Sequence, residues 1–251
     1  MKVLEIWRYP VKSMLGEQLD EVEVGPNGVG GDRRRAVVDA ESGVSLSAKR
    51  YQELLSCRAR TNSGEVMIGL PDGSEVVADS TQAADSLSDL LGRRVTVRAA
   101  GADHAVRHEF PSDLAAGEGE PFVWEPGLEG FFDRAPLHLL TTATLAELAR
   151  LAPDSVFTRD RFRPNFVVQA DGTGFVEDSW VGRELMIGNV KCHVLDHKPR
   201  CVMTTRAQGH LSKDTDIIKT IVKNNDGNAG IELGAFEPGV VQKSDQVVLM
   251  S

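Results

Sequence analysis

The sequence predicts a mainly β to α+β protein. Three observations carry this: the apolar runs are short, turn residues cluster between them, and segments with helical periodicity are few and scattered. Strands alternating regularly with helices would indicate βαβ units, and that pattern is absent, so a β-barrel or α+β architecture is expected. At 251 residues the chain has room for one large domain or two of ordinary size.

The first residues alternate over 3–6 and stop at Pro10, as a strand does. Further strands are expected at 18–24 and 36–39. Residues 66–78 place Pro71, Asp72 and Gly73 between two apolar runs, which is hairpin chemistry. Ser80 can cap a helix whose Ala83, Leu87, Leu90 and Leu91 share one face, with Gly92 ending it. A strand at 95–98 follows. Residues 109–133 then carry seven acids, no Lys or Arg, and the rings of Phe110, Phe122, Trp124, Phe131 and Phe132. This stretch reads as an acidic surface loop anchored by buried aromatics, against a lid or a dock for a basic partner. Thr144 with Glu147 makes a capping-box pattern for a helix with Leu145, Leu148, Ala149 and Ala152 on one face, stopped by Pro153. Residues 166–169 read as a buried strand and 184–195 as a hairpin turning at Gly188 and Asn189. Ile217, Ile218, Ile221 and Val222 mark a third helix, released over 224–227, before a last strand at 246–250.

With 41% hydrophobic and 26% charged residues the composition is globular, and the net charge of −9 disfavours nucleic acid, whose binding needs cations on phosphates. An anionic ligand would need a local basic cluster working against the overall field. Three cysteines, Cys57, Cys192 and Cys201, cannot all pair, and the first residues form a strand and not a leader, so an intracellular, reduced, cytoplasmic protein is expected. No stretch approaches the roughly 18 apolar residues of a membrane span.

Neither a P-loop, a GxGxxG opening a helix, a GxSxG elbow nor an HExxH is present, which removes support for kinases, Rossmann dehydrogenases, α/β-hydrolases and zincins. One segment is rich in reactive side chains: Lys191, Cys192, His193, His197, Lys198, Arg200 and Cys201. Cys201 stands out, because neighbouring positive charge favours the thiolate that attacks or binds soft metals, although a buried thiol acting as a small hydrophobe is an equal reading of the residues. A zinc site from Cys192, His193, His197 and Cys201 is disfavoured, since adjacent strand residues point to opposite faces. Three basic clusters lie elsewhere: Lys12 with Ser13 in YPVKS, Arg33 to Arg35 in GDRRR, and Arg159, Arg161, Arg163 with Asn165 in RDRFRPN. Each alone reads as a solvated strand end; together with a thiolate they would make a pocket for a phosphate-bearing, metal-carrying cofactor.

At these residues the chain resembles the MOSC family, in the two-part form with an N-terminal MOSC β-barrel domain. YPVKS, GDRRR, RFRPNFVV, EDSW and RCVMTT occur in the family's order. The resemblance implies two β-barrel-like domains with a few peripheral helices, 1–100 and 101–251, the acidic stretch connecting them. It implies a molybdenum cofactor of the molybdopterin type, with Cys201 as the metal's protein ligand. Lys12, Ser13 and Arg33 would hold the cofactor's phosphate end, Arg163 and Asn165 would line the pocket, and Arg200 and Thr204 would flank the ligand. The activity implied is reduction of N-hydroxylated small molecules, as in amidoxime-reducing members. Electrons would come from a separate flavin or iron–sulfur protein, since three cysteines cannot supply a plant-type cluster. The alternatives are a sulfur carrier or transferase with a persulfide on Cys201, and a cofactor carrier module. Pyridoxal phosphate is not expected. One departure stands out: where related reductases follow the cysteine with Thr-x-Asp-Pro-x-Thr-Gly, this chain has TTRAQGHLSKDTD, which puts contacts from that loop in question.

Overall fold

The computed structural model describes residues 1–101, 106–114 and 116–250. Its largest sheet has eight strands, in the order Val247–Leu249, Glu184–Ile187, Val190–Pro199, Asn228–Glu237, Leu137–Thr141, Phe166–Gln169, Lys2–Arg8 and Glu17–Leu19. All pairings are antiparallel except Leu137–Thr141 with Phe166–Gln169, where Leu139 faces Phe166. That parallel step needs a crossover, and helices Thr142–Leu151 and Arg159–Phe162 supply it.

The chain is mainly β with a few helices, as its short punctuated runs require, and where β-barrel-like domains were expected the described sheets do not close into barrels. Strand exchange between the halves explains this. The first strand pairs with Phe166–Gln169, and Gly239–Gln242 from the far end of the chain pairs with Glu21–Gly25. The run at 18–24 accordingly divides: Leu19 faces Ile6 in the large sheet, while Val22 faces Val241 in a smaller one.

Two large apolar cores result, with smaller clusters around Leu148, Phe162 and Ile221 and around Val38 and Phe131. One gathers Val3, Ile6, Leu137, Phe166, Leu185 and Ile231 beneath the large sheet; the other gathers Val11, Met14, Leu46, Leu54, Ile68 and Leu87. Residues 9–14 cross from one to the other. Val11 and Met14 go into the second core, so Lys12 and Ser13 are left between the two, with Ser13 in the left-handed region at φ 70°.

Local signals hold well in several places. Ser80 Oγ accepts from Ala83 N at the start of helix Thr81–Leu91, and Gly92 closes it at φ 60°. The hairpin turning at Gly188 forms as expected, its partners being Glu184–Ile187 and Val190–Pro199. The second helix starts earlier than its capping pattern suggests. Thr141 is the cap, its hydroxyl accepting from Thr144 N, and Glu147 pairs with Arg150 instead of turning back. The reason lies in EDSW: fully buried Glu177 accepts hydrogen bonds from both the Thr141 and Thr144 hydroxyls, at 2.6 and 2.8 Å. Burial raises the Glu177 carboxyl above its ordinary range.

The acidic stretch forms an antiparallel hairpin, His108–Asp113 with Glu118–Trp124. Its tip packs on the segment after Cys201: Val202 N donates to Leu114 O at 3.1 Å, and a side chain at Gly117, itself at φ 75°, would strike Val202 and Arg206.

Asp32 ties the halves together. It is wholly buried, with Oδ1 accepting from Tyr9 N at 2.6 Å and Oδ2 accepting from Asn165 Nδ2 at 3.0 Å and from Arg33 Nη1. Asp32→Asn would turn donors toward donors at Oδ2, and a loss of about 2–4 kcal/mol in urea unfolding is expected. A loss comparable to a neutral surface substitution would show that the hub is not structural.

Candidate functional site

A cavity of about 480 Å³ lies where the two cores meet, within the size range of ligand pockets. Lys12, Ser13, Arg33, Arg163, Asn165, Arg200, Cys201 and Thr204 all line it. Residues up to 192 positions apart by strand connection thus converge, because residues 9–14, the Arg33 turn, the Arg163 turn and the end of strand Val190–Pro199 all reach the junction.

Three of these residues are held in left-handed backbone: Ser13 at φ 70°, Arg33 at 48° and Arg163 at 56°. Such a conformation is costly for a residue with a side chain and persists where surrounding contacts impose it. Arg163 Nη1 donates to Met14 O at 2.6 Å, and Arg33 Nη2 donates to Arg163 O at 3.3 Å. Both guanidinium groups stack on Tyr9, at 4.9 Å for Arg33 and 4.3 Å for Arg163. Burial, with Arg33 adding to it, brings Arg163 down to about 10. Burial pushes the Tyr9 hydroxyl up to about 12.

Two of the lining residues also bond to their neighbours. Asn165 lines the cavity, yet its amide is occupied: Nδ2 donates to Asp32 and to Trp7 O, and Oδ1 accepts from His138 N. Thr204 donates its hydroxyl to Cys201 O at 2.9 Å. Both therefore position neighbours, Asn165 the strands and Thr204 the backbone of Cys201.

Cys201 is partly exposed at the cavity, immediately before the short 3₁₀ turn Val202–Thr205. Cys57 and Cys192 are buried, and burial pushes their thiols up to about 11 and about 12. Cys192 points into the core while His193 stacks on Phe236 at 4.2 Å on the outer face, so the two diverge. The loop after Cys201 lacks the Asp-Pro step but turns at Gly209, with Gln208 and Leu211 bonded to each other through both backbone groups. Arg161 braces it by donating to Thr204 O and Ser212 O, each at 3.0 Å.

Further lining residues were not singled out by their motifs. Lys49 is buried and its Nζ lies 2.5 Å from Asp133 Oδ2, with Lys12 on Oδ1 of the same carboxylate. The alternation in residues 45–49, with Leu46 and Ala48 entering the second core, is the signal that would have placed Ser47 and Lys49 on the cavity side. Burial brings Lys12 down to about 8 despite Asp133. Burial would raise Asp133, but Lys12 and Lys49 together hold it well below the carboxylate range. His138 is held well below its ordinary range by burial, with Arg200 and Lys198 adding to it, and is neutral. Counting Lys198, Arg134 and Arg161, the wall carries eight basic residues against one acid, Asp133. Phe110, Phe122, Trp124, Phe131 and Phe132 form the aromatic side. The acidic stretch is therefore a surface hairpin anchored by buried Phe110, Phe131 and Phe132, as expected, and its rings also form one wall of the cavity.

Two family models match the chain, one after the other. Residues 1–115 match the MOSC N-terminal beta barrel domain, and residues 126–248 match the MOSC domain. The chain belongs to the MOSC family. In this MOSC chain, Lys12, Ser13, Arg33 and Lys49 come from the first matched region, and Arg163, Asn165, Arg200, Cys201 and Thr204 from the second. Relatives include the human protein named mitochondrial amidoxime reducing component 2, 24% identical over 86% of this chain and 68% of that one. The rat protein of the same name is 27% identical with the same coverage. The zebrafish molybdenum cofactor sulfurase is 29% identical over 78% of this chain but 27% of its own length. Among solved structures, the YUAD protein from Bacillus subtilis superposes with a TM-score of 0.50 at 12% identity, covering 98% of this chain and 93% of that one, a likeness of fold. Among the described residues of the MOSC chain, no helix is long and apolar enough to cross a membrane.

Lys12 carries its charge below about pH 8 and loses it above. Affinity for inorganic pyrophosphate should therefore fall as pH rises from 7 to 9, and Lys12→Arg should flatten that fall, measured by titration calorimetry. An identical slope in both proteins would remove Lys12 from the anion site.

Proposed function

We propose that this protein is a molybdenum-cofactor-binding oxidoreductase that reduces N-hydroxylated small molecules with electrons from a separate flavin or iron–sulfur protein. The observation that carries the reading is an accessible cysteine, Cys201, in a cavity walled by eight basic residues and one acid, in a chain whose net charge is −9. The names of the relatives supply the chemistry: amidoxime reduction in one group, the molybdenum cofactor in the other.

The residues present fit such a group. A soft sulfur donor suits molybdenum, and the basic wall suits a phosphate-bearing pterin. Arg200 donates through Nη2 to Phe162 O at 2.6 Å, while its Nε and Nη1 have no partner among the described residues, so it has donors to offer an anionic ligand. Burial brings Arg200 down to about 10, so it stays charged at neutral pH. Cys201 would hold the metal, Arg163 and Arg200 the anionic body of the cofactor, and Lys12, Ser13 and Arg33 its phosphate. The Ser13 hydroxyl oxygen accepts from Ala48 N at 3.0 Å, which leaves its proton to donate.

When bound, the cofactor supplies a redox metal able to cleave an N–O bond and a pterin that carries electrons. The chain's own residues bind, orient and exclude water. Thr204 fixes the Cys201 backbone, and Arg161 anchors the turn that follows it. Phe110, Phe122 and Trp124 cover the cavity with apolar surface, which lowers the local dielectric and strengthens the arginine contacts. Three unpaired cysteines suit a reducing, cytoplasmic setting.

Protein made in a host that synthesises the cofactor should hold about one molybdenum per chain by elemental analysis, and Cys201→Ser should lose it while keeping its fold. Reduction of a model amidoxime by an artificial electron donor should disappear with the metal. Wild type free of molybdenum but carrying a persulfide on Cys201 would instead establish sulfur transfer.

A further inference from the structure

We propose that Lys12, Lys49 and Asp133 form a gated anion subsite, in which the Asp133 carboxylate sits where the phosphate or diphosphate end of the ligand binds, and loading displaces it. This deepens the cofactor reading and rests on it only for the identity of the natural ligand.

The charges are unbalanced in a telling way. Lys12 and Lys49 are 6% and 3% exposed, and each takes one oxygen of the same carboxylate. Buried ammonium groups need counter-charge, and one carboxylate offers two cations half of what they need. A phosphate or diphosphate carries enough charge, and enough oxygens, to satisfy both.

The lysines are fixed and the carboxylate is the movable partner. Lys49 Nζ lies 3.4 Å from the centre of the Phe110 ring, and Lys12 Nζ donates to Phe131 O at 3.1 Å. The Asp133 side chain is 34% exposed. Just before it, Phe131 and Phe132 are buried, and the neutral His108 ring holds Phe132 O through Nε2 at 2.9 Å while Nδ1 accepts from Ser45 Oγ at 2.6 Å. That anchor makes a pivot. Beyond it, Trp124 Nε1 donates to Asp133 O at 3.3 Å, so displacement of Asp133 is felt by the hairpin strand that covers the cavity.

An internal carboxylate that holds the subsite about nine-tenths of the time lowers apparent anion affinity roughly tenfold. With inorganic pyrophosphate as the probe and the full chain in calorimetry, Asp133→Asn should bind roughly tenfold tighter than wild type, and adding Lys49→Met should abolish that gain. Wild type gives a second readout: Trp7 and Trp180 are buried while Trp124 is 46% exposed, so pyrophosphate should shift the Trp124 emission, and Trp124→Phe should remove the shift. Asp133→Asn binding pyrophosphate no tighter than wild type would overturn the gate. If that variant does not fold, an emission unchanged by saturating pyrophosphate overturns it. Because the probe is not the cofactor, a protein that lacks molybdenum yet shows both effects would keep the subsite and lose the cofactor reading; one that holds molybdenum and shows neither would do the reverse.

Discussion

A single buried carboxylate sets the geometry on which the site depends. Asp32 accepts from the backbone of Tyr9, the amide of Asn165 and the guanidinium of Arg33, three residues drawn from different parts of the chain. An unpaired charge at that depth would be costly, so all three partners must be present for the fold to close. Their meeting brings the YPVKS segment, the GDRRR turn and the RPN turn to one point. Arg33 and Arg163 both turn there in left-handed backbone, Arg163 as the residue that closes helix Arg159–Phe162, and both stack on Tyr9 from opposite segments. The cavity lies beside this point because two separate apolar cores meet there without filling the junction.

Opposite charge is distributed with the same logic. The chain is acidic overall, yet cationic side chains crowd one wall of the cavity, facing the rings of the hairpin. In that setting each cation needs either an internal carboxylate or a ligand. Lys198 has Glu232 at 2.8 Å, and Arg33 has Asp32. Arg200 relies on a single carbonyl, and Lys12 shares Asp133 with Lys49. The excess of positive charge is thus concentrated near Cys201 and near Lys12, at the two places where a cofactor with a metal end and a phosphate end would need it.

Much of this was legible in the chain, and the reason differs by residue. Ser80, Gly92, Gly188 and the apolar runs act locally, so their spacing reports the structure directly. Lys12, Arg33 and Arg163 each read alone as part of a solvated strand end and Cys201 equally as a buried thiol; it is their combination, and the order of the motifs that carry them, that singles them out. Asp32 and Asp133 did not stand out, since a lone acid looks the same whether it is solvated or buried between cations. Thr144 misled because its hydroxyl serves Glu177, a contact across 33 positions that no capping pattern records. The open sheets could not be read either, because strand exchange between Lys2–Arg8 and Phe166–Gln169 is a long-range pairing, invisible in periodicity.

The arginines combine two duties that sequence motifs treat as one. Arg161 donates to Thr204 O, Arg163 to Met14 O, Arg200 to Phe162 O and Arg206 to Lys49 O, each across a different pair of segments. A planar guanidinium clamps a carbonyl with one edge and presents charge with the other in a fixed fork, whereas the Lys12 ammonium, which also holds Phe131 O, does so as a compact point charge. Shape and potential in this cavity therefore come from the same groups. It follows that loss of ligand in an arginine variant would not separate a lost contact from a loosened wall, whereas Lys12 and Lys49 carry charge as points, and Lys49, whose Nζ bonds to Asp133 and to no carbonyl, reports on the anion itself. Lys49, not the more numerous arginines, is the residue through which this site's preference for anions can be read cleanly.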